Sequence, residues 1–150
     1  MEISFIAGFG PITRDGDAAR AFWGDGLGIA LEEPVPGYLT NDDLDGVKAF
    51  ALWPLSQAAE STFGSAPWPA DVPVPQAWVE FDVPTVAAVA DAVAELTAAG
   101  HRVLKGATEE PWGQTTSRLL SPEGLLVGIT FTPWMHPHDH PEGEDAGAEA

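Results

Sequence analysis

The feature that most constrains the fold of this 150-residue chain is a pattern of strand, helix and three strands that occurs twice. In the first copy, the apolar run from Ile3 to Phe9 predicts a strand, and Asp15 or Asp17 can cap the helix that follows. Two or three further strands are predicted, at residues 29–33, 37–40 and 47–53. At this length, the pattern predicts two small halves that share one core.

The second copy contains the clearest helix signal of the chain. Between Pro84 and Ala99, apolar residues recur on one helical face, at Val86, Val89, Val93 and Leu96. A strand is predicted before this helix at residues 77–83, and three after it at residues 102–105, 114–120 and 125–132. The chain is therefore divided into one domain at residues 1–134, with module one at 2–55, a linker at 56–75 and module two at 76–134.

The linker and the C-terminal end differ in composition from the two modules. A short helix is expected at residues 56–63, and the prolines in the remainder of the linker predict an extended chain there. Residues 135–150 combine histidine with acidic residues and are predicted to be a disordered tail. Alternating histidines at His136, His138 and His140 suggest only adventitious binding of nickel or zinc.

Charge and composition exclude several classes of protein. The net charge is -17, from 23 acidic and 6 basic residues, and such a field repels phosphate, so no nucleic-acid or membrane partner is expected. The charge either keeps the protein soluble or attracts a cation. No cysteine is present, which excludes disulfides, thiolate zinc sites and a cysteine nucleophile. The N-terminal residues do not resemble a secretory signal, and a cytoplasmic location is expected.

Two motifs in module two point to a family. The segments Glu110-Pro111-Trp112-Gly113-Gln114 and Leu120-Ser121-Pro122-Glu123-Gly124-Leu125-Leu126 resemble the C-terminal half of vicinal oxygen chelate proteins, the glyoxalase and bleomycin-resistance superfamily. Residues 15–28 resemble the N-terminal segment of the same family. The resemblance implies an α+β fold in which two βαβββ modules form curled mixed sheets around a shared cavity.

Metal enzymes of this family hold a divalent cation with His, Gln or Glu on the first and last strands of each module. By the resemblance, those positions are here Gly8, the stretch from Ala49 to Ala51, Trp78 and Gly128. None of these side chains offers a lone pair to a metal. The resemblance therefore implies a member without metal ligands and without a cofactor, and small residues at Gly8 and Gly128 suggest room for a flat or large guest.

Strand alternation assigns residues to the expected cavity. If Trp78 faces it, Glu80 and Asp82 share that face, and the last strand presents Gly128 and Thr130. Val127, Ile129 and Phe131 then face the core. The predicted ligand-binding residues are Gly8, Trp78, Glu80, Trp112, Gln114, Gly128 and Thr130.

Trp78 is either a stacking platform for a ligand or a side chain that fills the vacated metal site. Glu80 is either a counter-charge for a cationic ligand or an ordinary strand carboxylate. Trp112 either lines the cavity mouth or forms a structural corner.

Four functions remain open at this point. The favoured one is metal-independent binding of a small aromatic or cationic molecule, as in bleomycin resistance, by a homodimer in analogy with that branch. The alternative is a metal-independent isomerase or lyase with Glu80 or Asp82 as the base. A metal-dependent glyoxalase or dioxygenase, or an interaction domain without a small ligand, is less favoured.

Overall fold

The computed structural model of the protein describes residues 1–137. Module one contains β1 (Phe5–Thr13), α1 (Gly16–Ala19) with a π-helix directly after it (Arg20–Gly26), β2 (Glu32–Val35), β3 (Tyr38–Asn41) and β4 (Ala49–Pro54). Next comes α2 (Leu55–Phe63), which begins at the last residue of module one and continues into the linker. Module two contains β5 (Ala77–Asp82), α3 (Val86–Ala98), β6 (Val103–Glu109), β7 (Thr115–Leu120) and β8 (Leu126–Phe131), and a 3-10 helix follows (Pro133–Met135).

The strands form one eight-stranded mixed sheet in the order β2-β3-β4-β1-β5-β8-β7-β6. In each module the first strand pairs in parallel with the last, and the first strands β1 and β5 pair antiparallel at the centre. The α+β class and the repeat are confirmed. The two curled sheets that the resemblance implied are, in their hydrogen bonding, one open sheet, because β2 and β6 are its outer strands.

Both helices that flank the sheet have side-chain caps, and the one predicted for the first helix is present. The Asp15 side chain accepts a hydrogen bond from the backbone N–H of Ala18 at 3.0 Å, as expected for an N-cap. At α3 the N-cap is Thr85, whose side chain accepts from the backbone N–H of Ala88 at 3.1 Å, and the predicted helix begins after Pro84. Gly100 follows α3 with φ of 88°, a left-handed conformation that glycine adopts without strain.

The helices of the two modules cover one face of the sheet. The cluster against α3 contains Val83, Leu119 and Ile129, with Val127 and Phe131 at its edge. Strand alternation predicted this position for the three residues of β8. Leu39, Phe50 and Leu52 form the equivalent cluster in module one, with Ala19 and Trp23 packed against it. The opposite face carries Ala51, Trp53, Trp78 and Leu126, where α2 contributes Ala58. No helix within residues 1–137 is long and apolar enough to cross a membrane.

Candidate functional site

A cavity of about 340 Å³ lies on the face of the sheet opposite α3. Five aromatic side chains contribute to its walls, namely Tyr38, Trp53, Trp78, Trp112 and Trp134. Its polar lining includes Thr40, Asp42, Gln57, Glu80, Gln114 and Arg118. Mostly apolar walls with a few polar groups are typical of sites for small molecules, and this volume is within their range.

Five residues on five neighbouring strands form one row across the floor of this face. Gly8 pairs with Ala49 on one side and with Glu80 on the other. Glu80 pairs in turn with Gly128, and Gly128 with Arg118. The internal repeat thus makes Gly8 equivalent to Glu80 and Ala49 equivalent to Gly128. Trp78 lies two residues from this row, opposite Gly10 and Leu126.

Glu80 is the only residue of the row with a carboxylate, and both its oxygens already have partners. Arg118 Nη1 donates to Oε1 at 2.6 Å, and Gln114 Nε2 donates to Oε2 at 3.0 Å. Gln114 Nε2 also contacts Thr132 Oγ1 at 2.9 Å, while its Oε1 accepts from Trp112 Nε1 at 3.0 Å. Glu80 and Gln114 are both buried, so the network fixes the carboxylate in the cavity floor.

Arg118 is a cavity residue that was not predicted from the sequence. Its side chain is 1% exposed, it borders the cavity, and its guanidinium lies 4.9 Å from the centre of the Trp53 ring. Within residues 1–137, its Nε–H has no hydrogen-bond acceptor. A signal was present in the sequence, because a basic residue in the middle of the predicted strand 114–120 is unusual in a chain with 6 basic residues.

The space above the two row glycines is filled by the chain itself. A Cβ at Gly8 would lie 2.5 Å from the Trp78 ring, and a Cβ at Gly128 would lie 2.8 Å from Arg118 Nη1. Trp78 is held there by a hydrogen bond from its Nε1 to the Ala51 carbonyl at 3.1 Å. These glycines therefore accommodate internal side chains, and the room expected for a guest is not above them.

The structure brings together most of the predicted ligand-binding residues. Gly8, Trp78, Glu80, Trp112 and Gln114 all border the cavity, with Trp112 half exposed. Gly128 is buried beneath Arg118, and Thr130 is buried with its hydroxyl donating to the Thr115 carbonyl at 2.8 Å. Neither of these two contributes to the cavity lining.

Asp82, the second carboxylate proposed as a base, lies away from the cavity. It is fully buried, accepts from the backbone N–H of Thr132 at 2.9 Å and contacts the His136 ring. Burial raises the pKa of Asp82, and the contacts with Thr132 and His136 oppose this shift. His136 belongs to the predicted tail, and the tail residues 138–150 lie outside the part that the structure describes.

Tyr38 on β3 is a second cavity residue that was not predicted. Burial raises its pKa to about 12, and the negative charges of Glu80 and Asp42 act in the same direction. The phenol is therefore a neutral group at physiological pH, able to donate or accept a hydrogen bond. Nothing in the short segment from Tyr38 to Asn41 distinguishes a cavity-lining tyrosine from any other strand residue.

The residues present do not fit a divalent metal ion. Only Glu80 of the row offers an oxygen donor, and the Arg118 cation paired with it would repel a second positive charge. Across residues 1–137, no group of three His, Cys, Asp or Glu side chains is arranged to hold a metal. A metal site needs several such donors around one point.

The comparisons with known proteins agree with this architecture. The sequence profile of the glyoxalase/bleomycin resistance protein/dioxygenase superfamily matches residues 7–129. A superfamily member from Vibrio splendidus 12B01 has a similar structure, with a TM-score of 0.54 and 16% identity, covering 87% of this chain and 100% of the other.

Two further structures are similar at comparable levels. One is a Legionella pneumophila protein named NAD-dependent benzaldehyde dehydrogenase, with a TM-score of 0.57, 13% identity and coverage of 83% of this chain and 96% of the other. The other is Streptomyces coelicolor methylmalonyl-CoA epimerase in complex with 2-nitronate-propionyl-CoA, with a TM-score of 0.52, 16% identity and coverage of 88% and 99%. No curated protein matches the sequence. Since the superfamily profile spans most of both modules, the chain belongs to the glyoxalase/bleomycin resistance protein/dioxygenase superfamily.

Proposed function

We propose that the protein binds a small, flat aromatic molecule in the cavity without the help of a metal ion. The observation that carries this proposal is the wall of one tyrosine and four tryptophans around a volume of about 340 Å³. Aromatic rings offer large apolar faces and favourable stacking geometry to a flat ligand. The floor supplies fixed polar groups, which orient the ligand.

A cationic ligand has weaker support than an aromatic one. Its expected counter-charge was Glu80, but that carboxylate is already paired with Arg118 at 2.6 Å. Asp42 is the remaining carboxylate of the lining. The enzymatic alternative is not favoured, because Glu80 is held by two hydrogen bonds and Asp82 does not reach the cavity.

The test is ligand binding measured by tryptophan fluorescence and melting temperature, with a panel of aromatic compounds, in the presence and absence of a chelator. We expect saturable quenching and a higher melting temperature, both unchanged by the chelator. In Trp112→Phe, loss of indole contact should weaken binding about three- to tenfold.

The matched control is Trp68→Phe, since Trp68 lies in the linker and donates to the Val72 carbonyl. This substitution should leave affinity unchanged. A melting shift that requires a divalent metal and disappears with chelator would contradict the proposal. A homodimer remains part of the proposal by analogy with the bleomycin-resistance branch, and its test is the molar mass in solution with and without ligand.

A further inference from the structure

The cavity floor contains one cationic side chain, that of Arg118. The guanidinium of Arg118 has N–H groups on three nitrogen atoms, and one donates to Glu80. The Nε–H has no acceptor among the described residues, although the side chain is 1% exposed. Because Arg118 also borders the cavity, a ligand bound there can bring a hydrogen-bond acceptor to its guanidinium.

The position of Arg118 also supports a role in ligand binding. It belongs to the row that connects Gly8, Glu80 and Gly128, and Gly128 leaves the space that Nη1 occupies. Its ring contact with Trp53 and its bond to Glu80 hold the guanidinium in one orientation. It is therefore a rigid, permanently charged group at the base of an aromatic cavity.

We propose that Arg118 is the polar anchor of the cavity and donates hydrogen bonds to a neutral carbonyl oxygen of an aromatic ligand. This inference rests on the proposed function and specifies its ligand class as aryl ketones, amides and esters. The charge balance selects a neutral acceptor. Glu80 already compensates the guanidinium, and Asp42 adds a further negative charge to the lining, so a carboxylate ligand would meet two carboxylates and one cation.

The experiment compares three probes, acetophenone, benzoate and ethylbenzene. Each consists of one benzene ring with a different substituent. Binding is measured by tryptophan fluorescence on the full chain. In the unmodified protein, acetophenone should bind about tenfold more tightly than ethylbenzene, because only acetophenone offers an acceptor to a charged donor. Benzoate should bind no more tightly than ethylbenzene.

Two variants of the ion pair make the test specific. Arg118→Lys keeps the charge beside Glu80 but loses the planar fork, and the preference for acetophenone should fall to about twofold or less. In Glu80→Gln the cation is no longer compensated, so benzoate affinity should rise about tenfold while ethylbenzene affinity stays the same. The control is Arg20→Lys, since Arg20 pairs with Glu33 on the exposed surface.

A double variant, Glu80→Gln with Arg118→Met, keeps the test valid if the single changes disturb folding, because it removes both charges together. It should bind acetophenone and ethylbenzene equally. The inference is overturned if unmodified protein shows no preference for acetophenone, or if the preference survives in the double variant. If none of the three probes binds, both the anchor and the proposed aromatic ligand are wrong.

Discussion

Tyr38 reports directly on the charges in the cavity floor. It is the only tyrosine of the chain, so the absorbance of its phenolate can be followed without interference from another tyrosine. Burial, followed by the charges of Glu80 and Asp42, raises its pKa to about 12. We expect Glu80→Gln to move the pKa of Tyr38 back towards its ordinary value of 10.0, since it removes a nearby negative charge.

The measurement is a spectrophotometric pH titration of the folded protein, with folding checked at each pH by circular dichroism. Asp42→Asn should lower the pKa of Tyr38 by less than Glu80→Gln does, because the charge of Asp42 has the smaller effect. Asp43→Asn, in the adjoining loop, should leave the titration unchanged. An unaltered titration in Glu80→Gln would show that Tyr38 and Glu80 do not share the cavity.

The residues of the site were only partly predictable from the sequence. Strand alternation correctly placed Trp78 and Glu80 on one face, because it depends only on local geometry. The pairing of Glu80 with Arg118 could not be predicted, since it joins residues 38 positions apart through the register of β5, β8 and β7. Such contacts are determined by the arrangement of strands and not by any short segment.

Among the secondary-structure elements, β1 and β4 approach each other more closely than side chains permit at one position. A Cβ on Gly10 would lie 1.8 Å from the Ala51 carbonyl oxygen, which belongs to the backbone and cannot rotate away. We expect Gly10→Ala to lower the free energy of unfolding by about 3 kcal/mol or more. At Gly8 the obstacle is the Trp78 ring, so Gly8→Ala should cost less, about 1–3 kcal/mol.

Urea denaturation of the three variants Gly8→Ala, Gly10→Ala and Gly106→Ala checks this order. Gly106 is the matched control, because it also lies in a strand, β6, and a Cβ there would meet nothing within 4 Å. Its replacement should leave stability unchanged or slightly higher. If Gly10→Ala were as stable as Gly106→Ala, this result would contradict the close approach of β1 and β4 at Gly10.

The order of elements was predictable, but the way in which the modules join was not. Each predicted strand and helix overlaps an observed element, because turn residues or apolar periodicity mark most of them. The two modules join where the edge strand β1 of one pairs antiparallel with the edge strand β5 of the other. Nothing in the local pattern of either strand specifies its neighbour, so one continuous sheet could not be distinguished from two.

In the molecule as a whole, the end of the described chain is tied back to the centre of the sheet. His136 contacts Asp82 on β5, and the centre of its ring lies 5.1 Å from that of Phe5 and 4.7 Å from that of Phe131. The residues just before it, Trp134 and Met135, line the cavity. The buried carboxylate of Asp82 thus connects the centre of the sheet with a segment that forms part of the cavity wall.

The burial of Asp82 predicts a specific dependence of the free energy of unfolding on pH. Burial raises the pKa of Asp82 in the folded state above its ordinary value of 3.8, so the folded protein binds this proton more tightly than the unfolded chain does. The resulting stabilisation is fully present below the ordinary value and is lost as the pH rises through the raised pKa. Asp82→Asn lacks a titrating group at this position, so its stability should not contain this component.

The measurement is the free energy of unfolding in urea for both proteins, between acidic and neutral pH. Repulsion among the acidic residues weakens both proteins as the pH rises, since the net charge is -17, and this effect cancels in the difference between them. On going from acidic to neutral pH, the unmodified protein should lose more stability than Asp82→Asn. A difference that stays constant with pH, or grows in the opposite direction, would mean that the contacts of Asp82 with Thr132 and His136 outweigh its burial.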